Sequence, residues 1–122
     1  IDMREYIFNM PTCMAAADLV ICRAGAITLS EIQAMGKPAI LIPSPNVAEN
    51  HQYHNAMALV NAGAADIIEE KDLTGAALMR KTDKMLLNPE KLEKYSENSR
   101  KMAITDANER IYSVVKKVLG LV

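Results

Sequence analysis

Apolar residues fall into four short runs, at about Tyr6–Phe8, Leu19–Cys22, Ala39–Ile42 and Ala65–Ile68. Each run is nearly continuous rather than alternating, the pattern of parallel strands covered on both faces. Between them, Pro11–Ala17 reads as a short Ala-rich helix, and Thr28–Met35 as a helix stopped by Gly36-Lys37-Pro38. Asn50–Asn61 puts Tyr53, Ala56, Met57 and Val60 on one face and ends at Gly63, a C-terminal capping signal. The alternation predicts an α/β fold, a Rossmann-like parallel sheet with flanking helices and right-handed crossovers.

After Asp72 the pattern is helical, with Leu73, Ala77, Met79, Met85 and Leu86 apolar and a break at Asn88-Pro89. A charged helix is expected to about Met102, with Lys91–Lys101 as a solvated face. A last helix is expected near Asp106, where Asp106-Ala107-Asn108-Glu109 resembles a capping box. Its apolar stripe is Ala107, Ile111, Val114, Val115, Val118 and Leu119. No internal repeat or low-complexity linker interrupts the chain.

Composition narrows the function classes. The 122 residues suit one domain, and an apolar half supports a packed core and excludes wholesale disorder. Fourteen basic and 15 acidic residues leave a net charge of −1. That balance argues against a dedicated nucleic-acid or anionic-membrane binder. No apolar run approaches the roughly 18–20 residues that span a bilayer. Cys13 and Cys22 make no disulfide scaffold, so a reduced, cytoplasmic setting is expected. The chain begins at Ile1 without a signal-peptide pattern, and it is expected to be a piece of something longer.

In a parallel sheet every loop leaving a strand lies on one edge, where ligands of open α/β folds bind. The expected loops are Phe8–Met10, Arg23–Thr28 and Pro43–Asn50. The second belongs to Cys22-Arg23-Ala24-Gly25-Ala26-Ile27-Thr28-Leu29-Ser30-Glu31, which reads strand, Gly turn, helix start. Free N–H groups and the positive dipole end of such a helix form an anion site. Gly25 would let the backbone turn sharply and approach a phosphate, Thr28 would add a hydroxyl, and Arg23 would add charge. The same residues also fit a plain capping box, Thr28-Leu29-Ser30-Glu31, with no ligand at all.

The loop Pro43–Asn50 is long for a strand-to-helix connection, and Gln52 and Asn55 after it share a helix face. Amide side chains both donate to and accept from sugar hydroxyls, although taken by themselves these residues are better explained by a solvated helix start. His51 and His54, with Glu49, lack the i, i+4 spacing of helical zinc sites, so no metal is expected. The two cysteines and eight methionines read as packing.

Together these segments resemble the C-terminal half of the MurG family of bacterial transferases. The run ADLVICRAGAITLSEIQAMGKPAILIPSPNVAENHQYHNAMALVNAGAADIIEE, residues 17–70, carries the likeness, and ITDANERIYSVVKKVLG looks like the family's final helix. The family moves N-acetylglucosamine from UDP-N-acetylglucosamine onto undecaprenyl-pyrophosphoryl-muramoyl-pentapeptide, lipid I to lipid II, in peptidoglycan synthesis. The resemblance implies the GT-B arrangement of two Rossmann-like domains, with residues 1–122 as the donor-nucleotide-sugar domain, truncated on its N-terminal side.

The resemblance also implies residue roles. Tyr6 would lie over the uracil ring, and the Ile7 backbone would meet its edge. Ala26, Ile27 and Thr28 would give N–H groups to the diphosphate. Glu31 would accept from both ribose hydroxyls, which requires it to point outward from the phosphates. Gln52 would contact the sugar hydroxyls with Asn55 close by. His51 stands where the family often has the first of two Gln, and Arg23 matches a family Arg without an assigned contact. The expected chemistry is inverting transfer without cofactor or metal. The acceptor-side base, the lipid-linked acceptor's site and the membrane contact on the cytoplasmic face would belong to the absent N-terminal domain.

This chain alone is therefore expected to be inactive, and the stripe of its last helix, left without that domain, can drive self-association. Asn50-His51-Gln52 also looks somewhat like the UDP-sugar subunit of a eukaryotic two-chain N-acetylglucosaminyltransferase. A non-catalytic α/β interaction module is the reading from another class.

Overall fold

Three of the four apolar runs become strands. The computed structural model describes residues 3–5, 7–45 and 50–120. Strands β1 (Val20–Cys22), β2 (Ala39–Leu41) and β3 (Ala65–Ile67) form a parallel sheet in the order β1-β2-β3. The register pairs Val20 with Ala39 and Ala39 with Ala65.

Among the described residues five α-helices accompany them: α1 (Met10–Ala16), α2 (Ala26–Met35), α3 (His51–Asn61), α4 (Gly75–Leu86) and α5 (Pro89–Val118). A short 3-10 turn, Glu70–Asp72, lies between β3 and α4. Helices cover both faces of the sheet, which is why β2 is apolar at every position. Ala39 and Leu41 join Leu29, Ile32, Ala56 and Leu59 in one core cluster. Ile40, between them, joins Ile68 and Met85 on the opposite face, with Leu78, Leu92 and Tyr95 against them. Burying side chains such as Ile32, Ile40 and Leu41 contributes roughly 1.5–3 kcal/mol each.

The helix ends follow local chemistry. Helix α2 stops at Gly36, whose φ of 62° is left-handed, and the Gly36 and Lys37 amides close back on Gln33 and Ile32. Gly63, at φ 71°, plays the same part after α3. Thr74 caps α4 by accepting from the Ala77 N–H, and Asn88 caps α5 by accepting from the Lys91 N–H. Lys37 donates to the carbonyls of Ala15 and Ala17 at the end of α1.

Three expectations are corrected. Ile7 and Phe8 form no strand, and Phe8 sits in a turn, 91% exposed, while Tyr6 lies outside the described residues. Met10 and Pro11 open α1 just after it, with Pro setting the helical φ, so Phe8 and Asn9 turn into that helix instead of extending. Phe8–Met10 is therefore not a loop leaving a strand.

The expected break between Met102 and Asp106 is absent, and α5 runs unbroken through both. The segment Ala103-Ile104-Thr105 holds neither Gly nor Pro, and the Thr105 hydroxyl bonds back to the Lys101 carbonyl one turn earlier. Asp106 thus lies inside a helix and caps nothing.

Lys91–Lys101 is not simply a solvated face either. Leu92, Tyr95 and Met102 pack on the core, and Ser99 is fully buried, donating to the Ile32 carbonyl at 3.5 Å. Ser96 donates to the Gly36 carbonyl and Asn98 to the Gly63 carbonyl. The N-terminal half of α5 is thereby fastened to the ends of α2 and α3. Its C-terminal stripe of Ile111, Val114, Val115, Val118 and Leu119 is exposed. Among the described residues no helix is long and apolar enough to cross a membrane.

Candidate functional site

The carboxyl edge of the sheet gathers the β1–α2 loop, the start of α3 and the turn after β3. Gly25 is the residue before α2, with φ −68° and ψ 146°, and no side chain among the described residues caps that helix. The first intrahelical bond there runs from the Leu29 N–H to the Gly25 carbonyl. The amides of Ala26, Ile27 and Thr28 precede it, so they lack intrahelical acceptors by geometry. Thr28 is the third helical residue, so the capping-box reading of Thr28–Glu31 is corrected: Thr28 does not begin the helix. What remains at this corner is a bare helix N-terminus with its positive dipole end.

The sharp-turn role of Gly25 is corrected as well. Its φ is one that any residue adopts, and a Cβ added there would meet nothing among the described residues within 4 Å. Gly25 leaves room in front of the first-turn amides rather than supplying a special turn. Ala26 and Ile27 are exposed, Thr28 is half-buried, and Glu31 is exposed three residues beyond Thr28 on the same side of α2.

Helix α3 holds this corner in place. Gln52 Oε1 accepts from the Ala24 N–H at 3.2 Å and from the Ser44 N–H at 2.8 Å. Asn55 Nδ2 donates to the Ala24 carbonyl at 3.4 Å. Ala24 is fully buried and directly precedes Gly25. His51 is exposed at the first position of α3, after Asn50 in the left-handed region at φ 54°. His54 is exposed and meets the Tyr53 ring edge-on, with centroids 5.8 Å apart. Tyr6 and Glu49 lie outside the described residues, and Ile7 is half-buried before α1. Among the described residues no group of three His, Cys, Asp or Glu side chains could hold a metal.

Arg23 is fastened on the same edge. Its Nη1 donates to Glu70 Oε2 at 2.8 Å and to the Ile42 carbonyl at 3.5 Å. Both partners are substantially exposed, so the pair contributes at most about 1 kcal/mol. Pro43, Ser44, Tyr53 and the Glu69–Lys71 turn line a cleft of about 120 Å³ beside it, below the roughly 300 Å³ at which small-molecule pockets begin. At the end of β1, burial raises the Cys22 thiol to a pKa of about 11, so it stays protonated at neutral pH. Glu70 and Ser44 were not singled out by sequence reasoning. Both lie within the run that carries the family likeness, but only the packed edge brings them to Arg23 and Gln52.

Comparison with known proteins agrees with this geometry. The chain spans about a third of the length of the curated relatives it matches. A protein of Acetivibrio thermocellus is 49% identical over 119 residues, which are 98% of this chain and 32% of that protein. A Thermoanaerobacter protein is 51% identical over 113 residues, 93% of this chain and 31% of that protein. Both are named UDP-N-acetylglucosamine--N-acetylmuramyl-(pentapeptide) pyrophosphoryl-undecaprenol N-acetylglucosamine transferase. The crystal structure of Acinetobacter baumannii MurG superposes with a TM-score of 0.76 at 30% identity, over 92% of this chain and 33% of that one. The family model described as "Glycosyltransferase family 28 C-terminal domain" matches residues 1–111. Sheet, edge loops and sequence thus converge, and the chain belongs to the glycosyltransferase family 28 C-terminal domain family.

Proposed function

We propose that this chain is the UDP-N-acetylglucosamine-binding part of an inverting transferase that builds the lipid-linked peptidoglycan precursor. The observation that carries the reading is the N-terminus of α2 at the carboxyl edge of the sheet, which among the described residues has no side-chain cap and nothing within 4 Å of a Cβ placed at Gly25. The names of the relatives supply the donor and acceptor.

In this reading the amides of Ala26, Ile27 and Thr28 meet the diphosphate. As the glycosidic bond to it breaks, negative charge grows on the leaving group. Preorganised donors at that point stabilise the transition state. The helix dipole contributes up to about 2 kcal/mol in a partly buried setting, and each charge-assisted hydrogen bond about 1.5–3 kcal/mol. Glu31, one turn further along α2, accepts from the ribose hydroxyls away from the phosphates. Tyr6 and Ile7 serve the uracil, and Gln52 serves the sugar hydroxyls with Asn55 close by, while His51 beside them has no assigned contact. The lipid-linked acceptor, the base that activates it and the contact with the cytoplasmic face of the membrane belong to sequence outside these 122 residues.

Titration of UDP into the isotope-labelled chain, followed by amide NMR, tests the reading. Shifts centred on Ala26–Thr28 are expected. Absence of any shift at millimolar UDP, or shifts confined to another face, favours a non-catalytic α/β module.

A further inference from the structure

We propose that Gln52 is a positioning residue, whose side-chain oxygen staples two edge loops together and so sets where the first-turn amides of α2 stand. Its ligand consequence rests on the donor-binding reading above; the staple itself does not.

The argument starts from hydrogen-bond capacity. An amide oxygen has two lone pairs, and Gln52 Oε1 receives two backbone donors, Ala24 N–H at 3.2 Å and Ser44 N–H at 2.8 Å. Backbone N–H groups only donate, so the oxygen end of the side chain must face the loops. One donor belongs to the loop after β1 and the other to the loop after β2, so one atom ties both to α3. One turn later, Asn55 donates to the carbonyl of the same Ala24. Ala24 is thus gripped through both its N–H and its C=O, is fully buried, and leads directly into Gly25 and the bare helix start.

A further consequence concerns ligand chemistry. With its oxygen committed, Gln52 has only its NH2 group left to offer. A ligand atom meeting it must be an acceptor, such as a hydroxyl or phosphate oxygen. Sequence reading treated Gln52 as an amide able to act either way, and the staple removes half of that repertoire.

Two substitutions separate the parts. Gln52→Met keeps the length and loses the acceptor. Gln52→Glu keeps a two-lone-pair acceptor and loses the donor. Amide hydrogen exchange at Ala24 and Ser44 is measured by NMR, and UDP affinity by titration, at a temperature where circular dichroism shows each variant folded. Gln52→Met is expected to speed exchange at both amides and to weaken UDP binding about tenfold, the scale of one lost hydrogen bond. Gln52→Glu is expected to keep both amides protected.

A Gln52→Met chain that melts earlier but binds UDP as tightly when folded overturns the positioning role. Unchanged exchange at Ala24 and Ser44 overturns the staple. Should Gln52→Met not fold, loss of protection at both amides in folded Gln52→Glu overturns it equally. A parent chain that gives no UDP response, while Gln52→Met still frees the two amides, overturns the donor reading alone.

Discussion

The Tyr95 hydroxyl donates to Asp66 Oδ1 at 2.8 Å and so joins the longest helix, α5, to the edge strand β3. Lys91 completes the contact, with its Nζ 3.7 Å from Asp66 Oδ2 and 5.4 Å from the centre of the Tyr95 ring. A carboxylate on a strand bounded by helices thereby has a partner at each oxygen. The same three residues tie the first turns of α5 to the sheet.

Removing the hydroxyl in Tyr95→Phe should cost about 0.5–1.5 kcal/mol at neutral pH, read from urea denaturation. The alkaline limb should change too. Burial, and then the hydrogen bond and charge of Asp66, push the Tyr95 pKa from 10.0 up to about 12. The unfolded chain therefore releases this proton before the folded chain does. The stability this group contributes is complete below about pH 10 and is lost as pH rises towards 12. Tyr95→Phe should flatten that loss, and an identical alkaline slope in both proteins would contradict the half-buried contact.

Gly36→Ala tests the end of α2. The backbone there is left-handed, at φ 62°, and an added Cβ would run into the Arg100 side chain. A penalty of about 1–2 kcal/mol from the backbone alone is expected, and more if Arg100 cannot move aside. Thermal melting of Gly36→Ala against Gly36→Ala/Arg100→Ala separates the two contributions.

Glu31→Ala should weaken UDP about 10- to 100-fold, the loss of charge-assisted bonds to the ribose worth roughly 1.5–3 kcal/mol. Its exposure on α2 means that folding stability should stay within about 0.5 kcal/mol of the parent. Equal affinities of parent and variant for UDP would remove Glu31 from the donor site.

Protection should fall along α5. Its first half carries Leu92, Tyr95, Ser99 and Met102 into the core, whereas from Ala107 onward nearly every side chain is exposed. Native-state amide exchange should therefore be slow near Ser99 and fast beyond Ile111. Uniform protection to Val118 would require a partner for the exposed stripe.

Much of this architecture could be read locally. The strands β1 to β3, the stop at Gly36 and the turn at Gly63 depend on apolar runs and glycines a few residues apart, and they stand where pattern placed them. The Gly25 turn and a helix after it were legible for the same reason, although the helix was read from Thr28 and begins at Ala26. Pattern failed where short-range signals competed. Ile7 and Phe8 looked like a strand, but Pro11 made the following residues helical. Asp106-Ala107-Asn108-Glu109 looked like a capping box, but without Gly or Pro before it the helix simply continued.

By itself, then, the amino-acid sequence determined the α/β alternation, the edge on which the loops gather and the residue types present there. Those properties arise from backbone preference and hydrophobic period, which act over one or two turns. The tertiary structure alone decided that Thr28 is not the cap of α2, that Ser96, Asn98 and Ser99 are spent on α2 and α3, and that Arg23 finds Glu70. It also decided that the oxygen of Gln52 is committed to Ala24 and Ser44. A polar side chain bonds to whatever donor or acceptor packing brings within about 3 Å. Apart from Gln52 with Ser44, eight residues apart, the partners in these bonds lie at least 28 residues away along the chain.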